Sequence, residues 1–352
     1  MTDQSEILFE RRGSAGVVTL NRPQALNAVT VGMVRALRLK LDEWSRDPAV
    51  TRIVLTAAGG RAFSAGGDIR ALYDAGTAGR YAEMLAFYGE EYQLNTVIKH
   101  YPKPYVSLID GIVMGGGVGL SVHGAYRVAG DRYSFAMPEV GIGFFPDVGA
   151  TWFLPRMPGG LGAYCALTGE RLNAADGVAA TLATHRVASG RFAELTDALC
   201  GEAPVEATLA SFNQPAGEGK LAPHREAIER LFQGDRVEDI LAALDAEGSE
   251  FAKTTAATIR AKSPTSLKLA LAQVRAGGRL SFEACMATEF RIVSRVVHGH
   301  EFYQGVRAVI VDKDNAPRWR PAALAEVSDA EIARHFAPLP AAEEWQAPDL
   351  TS

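Results

Sequence analysis

Three consecutive glycines, Gly115-Gly116-Gly117, stand where an apolar strand gives way to a helix. The segment Gly111-Ile112-Val113-Met114-Gly115-Gly116-Gly117-Val118-Gly119 follows Pro104-Tyr105-Val106-Ser107-Leu108-Ile109, whose β-branched and aromatic content reads as a buried strand. Leu120-Ser121-Val122 then continues the apolar stretch without a breaker. Without side chains at the junction, the backbone can turn sharply and come close to a ligand. The first N–H groups of the helix have no partner within it, and the positive end of the helix dipole lies behind them. Such a junction suits an oxygen that is negative or becomes negative in a transition state. Tight helix–sheet packing uses the same glycines, and the triplet alone does not separate the two readings.

Two further segments bear on the choice. Arg61-Ala62-Phe63-Ser64-Ala65-Gly66-Gly67-Asp68-Ile69-Arg70 follows the strand Arg52-Ile53-Val54-Leu55-Thr56, and Asp68 is placed to cap the next helix. Phe135-Ala136-Met137-Pro138-Glu139-Val140-Gly141-Ile142-Gly143-Phe144-Phe145-Pro146-Asp147 sets two carboxylates eight residues apart in an apolar loop broken by Gly and Pro.

Strand-like runs recur at 16–20, 52–56, 105–109, 126–129 and 133–135. In 30–46, Met33, Leu37, Leu41 and Trp44 mark one apolar face of a helix that Asp47-Pro48 ends. Alternation of strands and helices argues for an α/β fold with strands buried under helices. Around Phe212–Lys220 the composition becomes that of a linker, and strand signals stop. Beyond it Phe282, Met286 and Phe290, continued by Val293, Val296 and Val297, draw a helical stripe. The expected division is a core at 1–212, a helical region packed on it at 220–340, and a loose tail at 341–352.

Of 352 residues, 47% are hydrophobic and 22% charged, enough for a sizeable core. The net charge of −5 points away from nucleic acid and from anionic membranes. The longest apolar stretch, 105–129, is interrupted by Asp110, several glycines and His123, and does not read as a membrane span. Cys165, Cys200 and Cys285 are odd in number and far apart, which suits a reducing compartment. The polar, acidic start of the chain resembles neither a secretory nor a transit signal, so a cytoplasmic protein is expected. No metal is expected: His298-Gly299-His300 is the one close histidine pair and lacks partners at zinc spacing. His123 reads as a packed, hydrogen-bonded histidine. A serine nucleophile is disfavoured because no Gly-x-Ser-x-Gly elbow is present.

Taken in order, the three glycine-rich segments and Leu20-Asn21-Arg22-Pro23-Gln24-Ala25-Leu26-Asn27-Ala28 resemble the crotonase (enoyl-CoA hydratase/isomerase) superfamily. Within it, Glu90-Glu91-Tyr92, Met137-Pro138-Glu139, Phe145-Pro146-Asp147-Val148-Gly149 and Gly305–Asp314 are similar to the 3-hydroxyisobutyryl-CoA hydrolases. The resemblance covers about Leu8 to His335.

It implies a spiral of ββα units and an acyl-CoA substrate, with coenzyme A part of that substrate and no separate cofactor. It also implies a place in valine catabolism and allows a homo-oligomer. The thioester oxygen would be held by the N–H groups of Gly67 and Gly116, so alanine at Gly116 should be tolerated better than proline. Glu139 and Asp147 would supply acid–base or nucleophilic chemistry. Hydratases carry a second glutamate at the position of Gly119, and commonly a glycine at that of Asp147. Asp147 could instead cap a helix. Glu91 would reach the acyl group or orient the site, or else lie on a solvated helix face.

Coenzyme A would thread past Ala25, Leu26, Ala28 and Ala65, near Asp68, Ile69, Gly115 and Pro138. Arg22, Arg307 and Lys313 are candidate partners for its phosphates, and Phe144, Phe145 and Trp152 candidate acyl walls. A hydratase or isomerase using Glu139, or a CoA-binding protein without catalysis, are the alternatives.

Overall fold

Each large-sheet strand from residue 52 to residue 136 is followed at once by a short strand in a second sheet. The computed structural model describes residues 5–350. Its strands are β1 (Ile7–Arg12), β2 (Ala15–Leu20), β3 (Arg52–Ala57), β4 (Ala62–Ser64), β5 (Tyr105–Ile109), β6 (Ile112–Met114), β7 (Tyr126–Ala129), β8 (Ser134–Ala136) and β9 (His185–Arg186). The larger sheet runs β1-β2-β3-β5-β7-β9, parallel except for the β1–β2 hairpin, and the smaller runs β4-β6-β8, all parallel. The pairs β3β4, β5β6 and β7β8 are successive turns of the expected spiral. Only Asp110 and Gly111 separate β5 from β6. Gly111 takes φ +88°, and a Cβ there would lie 2.6 Å from the Arg61 carbonyl oxygen. The corner therefore needs glycine.

Helix α1 (Val31–Arg46) is capped by Thr30, whose hydroxyl accepts from the Met33 N–H at 3.2 Å. Its expected face, Met33, Leu37, Leu41 and Trp44, is buried. Asp68 caps α2 (Ile69–Thr77) by accepting from the Ala71 N–H. Helix α3 (Tyr81–Lys99) has buried residues around most of its circumference, and α4 (Gly116–Ser121) is a single buried turn and a half that begins at the glycine triplet.

Both faces of the larger sheet are covered, as parallel strands require. Val17, Val54, Val106 and Val128 meet Leu195, Leu199, Leu209 and Phe212 on one side. On the other, one continuous core runs from Val18 and Leu55 through α1 and α3 to Phe282, Met286 and Val293 of the helix Phe282–Val296. Phe290, expected in the same stripe, is half-buried beside Gly89. The tail, expected to be loose, is anchored at Glu344 and Trp345. The Trp345 indole donates to the Gly89 carbonyl at 3.1 Å, and Glu344 pairs with Arg291 at 2.9 Å. No helix of the described residues is long and apolar enough to cross a membrane.

Close approach at α4 makes a test. A Cβ on Gly117 would lie 2.6 Å from both the Cβ and the carbonyl oxygen of Ser64 in β4. Gly117→Ala should cost about 1–3 kcal/mol in urea unfolding. Gly32→Ala, where a Cβ would meet only the Thr30 hydroxyl at 3.7 Å, should be neutral or stabilise by up to ~1 kcal/mol. Equal midpoints for the two variants would remove the packing role of Gly117.

Candidate active site

Two backbone N–H groups lie close together where the two glycine junctions meet. Val29 pairs with the chain around Gly67: the Val29 N–H donates to the Gly66 carbonyl at 2.8 Å, and the Asp68 N–H donates to the Val29 carbonyl at 2.9 Å. In a parallel bridge of this kind the middle residue turns its own N–H away. The Gly67 N–H accordingly has no acceptor among the described residues, and neither has the Gly116 N–H at the first turn of α4. A Cβ on Gly116 would lie 3.3 Å from the Gly67 nitrogen. Gly66 (φ +116°) and Gly115 (φ +43°) supply the reversals that aim the two junctions at each other.

The flanking wall comes from α3. Tyr88, Glu91, Tyr92 and Asn95 fall at i, i+3, i+4 and i+7, on one side of the helix. That side lies against α4, whose glycines make room for it. Glu91 Oε1 would be 2.6 Å from a Cβ on Gly116, and Asn95 Nδ2 would be 2.7 Å from one on Gly119. Glu91 is buried, not on a solvated face, and its Oε1 has no partner among the described residues. Alanine at Gly116 would crowd the Glu91 carboxylate, which must shift; proline would bring the same Cβ and remove the N–H as well, so position 116 is a poorer test of the donor than position 67. At Gly67 a Cβ would meet only the Phe87 ring at 3.5 Å, an ordinary contact.

Glu139 begins a single turn after β8, with Oε1 3.5 Å from a Cβ placed on Gly115 and Oε2 unpartnered among the described residues. Burial, and then the charge of Asp147, push its carboxyl well above the usual range. Asp147 accepts from the Tyr92 hydroxyl at 3.0 Å. Burial raises it to about 7, with the Tyr92 bond opposing. Asp147 is not a side-chain cap: the following turn, Ala150–Phe153, is capped at Gly149, and only the Asp147 carbonyl accepts from Ala150. Glu91 is raised by burial and then by the charges of Asp147 and Glu289.

The loop that carries Asp147 is held from outside. Val148 adopts φ +52°, a costly conformation for a β-branched residue. The His123 ring bonds its carbonyl through Nε2 at 2.7 Å. Glu289, on the helix Phe282–Val296, accepts from the N–H groups of Gly149 and Thr151, both at 2.8 Å. The Gln273 amide donates to the Pro146 carbonyl. His123 is therefore a packed histidine, and burial lowers it to about 3.

Comparison with known proteins fits this geometry. The family profile described as "Enoyl-CoA hydratase/isomerase" matches residues 15–336. The chain belongs to the enoyl-CoA hydratase/isomerase family. Among its curated relatives is the "3-hydroxyisobutyryl-CoA hydrolase, mitochondrial" of Danio rerio, 46% identical over 95% of this chain and 90% of that protein. The human protein of the same name is 43% identical over 94% and 88%. A crystal structure described as a carnitinyl-CoA dehydratase from Mycobacterium thermoresistibile is 42% identical, with TM-score 0.93 over 97% of this chain and 99% of that one. Another, described as an enoyl-CoA hydratase from Rhodobacter sphaeroides, is 37% identical, with TM-score 0.91 over 97% and 100%. The compartment in the relatives' names lends the cytoplasmic expectation no support.

Within this family fold, the other expected contact residues divide. Leu26 and Asn27 are left-handed, and the Leu26 carbonyl accepts from the Ala65 N–H at 3.0 Å, so the loop with Ala25 and Ala28 is tied to the Gly67 junction. Ile69 follows directly, its N–H on the Gly67 carbonyl. Asp68 is occupied as a cap and by Arg22 at 3.2 Å. Arg22 also pairs with Glu6 at 2.9 Å and bonds the Ala28 carbonyl at 2.7 Å. It braces the loop and is not free for a phosphate. Arg307 is likewise engaged by Asp312 and Asp314, while Lys313 is exposed. Pro138 precedes Glu139, and Phe144 is buried, stacked on Tyr88 with centroids 5.5 Å apart. Phe145 is core. Trp152 lines a different cavity. Beside Gly67 a cavity of about 400 Å³ is lined by Val29, Asp68, Leu72, Met84 and Phe87.

Sequence reasoning gave no role to Tyr88, Tyr92, Asn95 or Glu289. The spacing of the first three within a helix was available as a signal, whereas Glu289, 140 residues from Gly149, left none.

Asp147 permits a stability test. Between its ordinary 3.8 and about 7 the folded protein keeps a proton that the unfolded chain has released. This group therefore favours folding less and less as pH rises through that window, and its full cost is present above it. Asp147→Asn removes the cost and retains the Tyr92 bond. The melting-temperature gain over wild type should be larger at pH 8 than at pH 5 by roughly 2–6 °C. An equal gain at both values would show that Asp147 is ionised without penalty.

Proposed function

We propose that the chain is an acyl-CoA thioester hydrolase acting on 3-hydroxyisobutyryl-CoA, yielding 3-hydroxyisobutyrate and CoA in valine catabolism. The curated relatives carry this activity in their names. The observation that favours it over the hydratase and dehydratase names of the solved structures is the filling of the space at Gly119. A Cβ there would lie 2.7 Å from Asn95 Nδ2 and 2.8 Å from Val148 Cβ, so the second glutamate of a hydratase has nowhere to go. Asp147, buried and bonded to Tyr92, is the other acid beside Glu139.

In this reading the N–H groups of Gly67 and Gly116 take the charge that develops on the thioester oxygen. Glu139, in its ionised form, either deprotonates a water that attacks the carbonyl carbon, or attacks that carbon itself, in which case water then hydrolyses the Glu139–acyl anhydride to release the acid and restore the carboxylate. A C–O bond forms, the C–S bond breaks, and protonated Asp147 gives its proton to the departing sulfur. The value near 7 suits a group that must hold a proton and then release it. Glu91 accepts a hydrogen bond from the acyl hydroxyl, and the cavity beside Gly67 receives the thiol arm.

Free-thiol release and loss of enoyl absorbance, measured together on a panel of acyl-CoAs, test the reading. Thiol from the hydroxyisobutyryl ester with no change in enoyl esters supports it. Altered acyl groups without thiol would make the chain a hydratase or isomerase, and binding without turnover a CoA-binding protein. Glu139→Gln should lower thiol release at least ~10²-fold with ester binding nearly intact.

Gly67→Ala should stay within a few-fold of wild type, because it retains the N–H. Gly67→Pro, folded by circular dichroism, should lose about 10²–10³-fold. Full activity in a folded proline variant would remove that donor from the mechanism. Gly119→Glu should lose hydrolysis and gain no hydration, since the side chain must displace Asn95 or Val148. Efficient hydration by that variant would show that the position alone decides the reaction.

A further inference from the structure

Beyond the far end of α4 lies a second cavity, of about 350 Å³. Val122 and His123, which follow α4, form part of its wall, so it sits roughly 10 Å from Gly116 along the helix. Lys99, Lys103, Arg127 and Arg156 all line it, and no aspartate or glutamate does. None of the four forms an ion pair among the described residues.

Three of them are anchored by backbone carbonyls, which accept the N–H bonds and leave the positive charge standing. Arg127 donates to Gly124 at 2.8 Å and Leu182 at 2.9 Å, Arg156 to Trp152 at 2.7 Å, and Lys103 to Asp47 at 2.7 Å. Lys99 has no hydrogen-bond acceptor among the described residues. Its ammonium lies 5.4 Å from the Trp152 ring centroid and 5.9 Å from that of Phe282. The nearest acid acting on it, Glu283, is taken by His100 at 2.7 Å. A second observation is independent of the cations. Tyr105 lines the same cavity, is 1% exposed, and its hydroxyl has no partner among the described residues.

Lys99 is repelled by the charges of Arg127 and Arg156 with no counter-charge lining the cavity, and a buried hydroxyl without a partner carries its own cost. An occupant that removes both penalties must be an anion with several acceptor oxygens. Four cations favour a dianion over a single carboxylate. We propose that this cavity is a phosphate-binding site, separate from the thioester site, that takes a small phosphate monoester on Lys99 and Tyr105, with Arg127, Arg156 and Lys103 supplying the surrounding field. The aromatic wall of Trp152 and Phe153 suits the organic part of such a ligand.

Calorimetric titration of the full chain with inorganic phosphate, with acetate as the monoanion arm, tests this. Phosphate should bind at one saturable site and acetate far more weakly. Lys99→Met should weaken phosphate about tenfold or more, Lys99→Arg should restore most of it, and Tyr105→Phe should weaken it several-fold. Thiol release by Lys99→Met should stay at the wild-type level. The titration is repeated in Glu139→Gln and with saturating CoA, where phosphate should still bind. Unchanged affinity in Lys99→Met, preference for acetate, or loss of phosphate binding when CoA is present would each overturn the proposal, the last by returning the cavity to the CoA site. None of these readouts depends on which acyl-CoA reaction the chain performs.

Discussion

The close approach of α3 to α4 is the constraint on which the site depends. Ordinary helix pairs keep their axes 8–10 Å apart because side chains intervene. Here Gly116 and Gly119 remove those side chains from α4, and Glu91 and Asn95 of α3 occupy the space they leave. Gly117 does the same toward β4 on the other side. One short helix is thus pressed between a strand and a long helix. Its first N–H group is fixed in direction by contacts on both flanks, which a flexible glycine loop could not achieve. Preorganisation of this kind is what allows a backbone donor to stabilise charge in a transition state without reorganising.

The same closeness is electrostatically expensive. Glu91, Glu139, Asp147 and Glu289 are all buried and all titrate above their ordinary values. Burial is the largest cause for each, and charge repulsion adds to it for Glu91, Glu139 and Glu289. They are not equivalent, however. Glu289, raised to about 8, accepts two backbone N–H bonds and acts on the loop, while Asp147 accepts one hydroxyl bond, and Glu139 and Glu91 each keep an unpartnered oxygen. Of the oxygens left without partners among the described residues, Glu91 Oε1 lies against Gly116, 2.6 Å from where a Cβ would stand. That unequal satisfaction separates groups that hold the site from groups available to a substrate.

Much of this was legible in the sequence, for identifiable reasons. The Asp68 cap and the α1 face are local patterns with a single geometric solution each, and the glycine triplet marked the junction without dividing its packing role from its role toward a ligand. Strands β4, β6 and β9 span two or three residues, too few for alternation to register, and β4 and β6 hid within the glycine segments they flank. Glu91 shows the limit of helical reasoning. A charged residue on a long helix is usually solvated, and only the absence of side chains on a partner helix from another part of the chain buries this one. Arg22 erred in the other direction. It looked like a free cation beside a phosphate path, but Glu6, Asp68 and the Ala28 carbonyl occupy it.

What fills position 119 has consequences beyond the absence of one carboxylate. Asn95 and Val148 close that space together, and Val148 does so in a left-handed conformation that His123 and Glu289 sustain from either side. The strained residue is the neighbour of Asp147, so the backbone that blocks a glutamate at 119 is the same backbone that presents the aspartate. Exchange of acid groups between the two positions is therefore not two independent substitutions. It requires a different path for residues 146–151, and hence a different anchorage by Gln273 and by the helix Phe282–Val296. A helical region remote in sequence from every glycine motif thereby takes part in setting which acids the site contains.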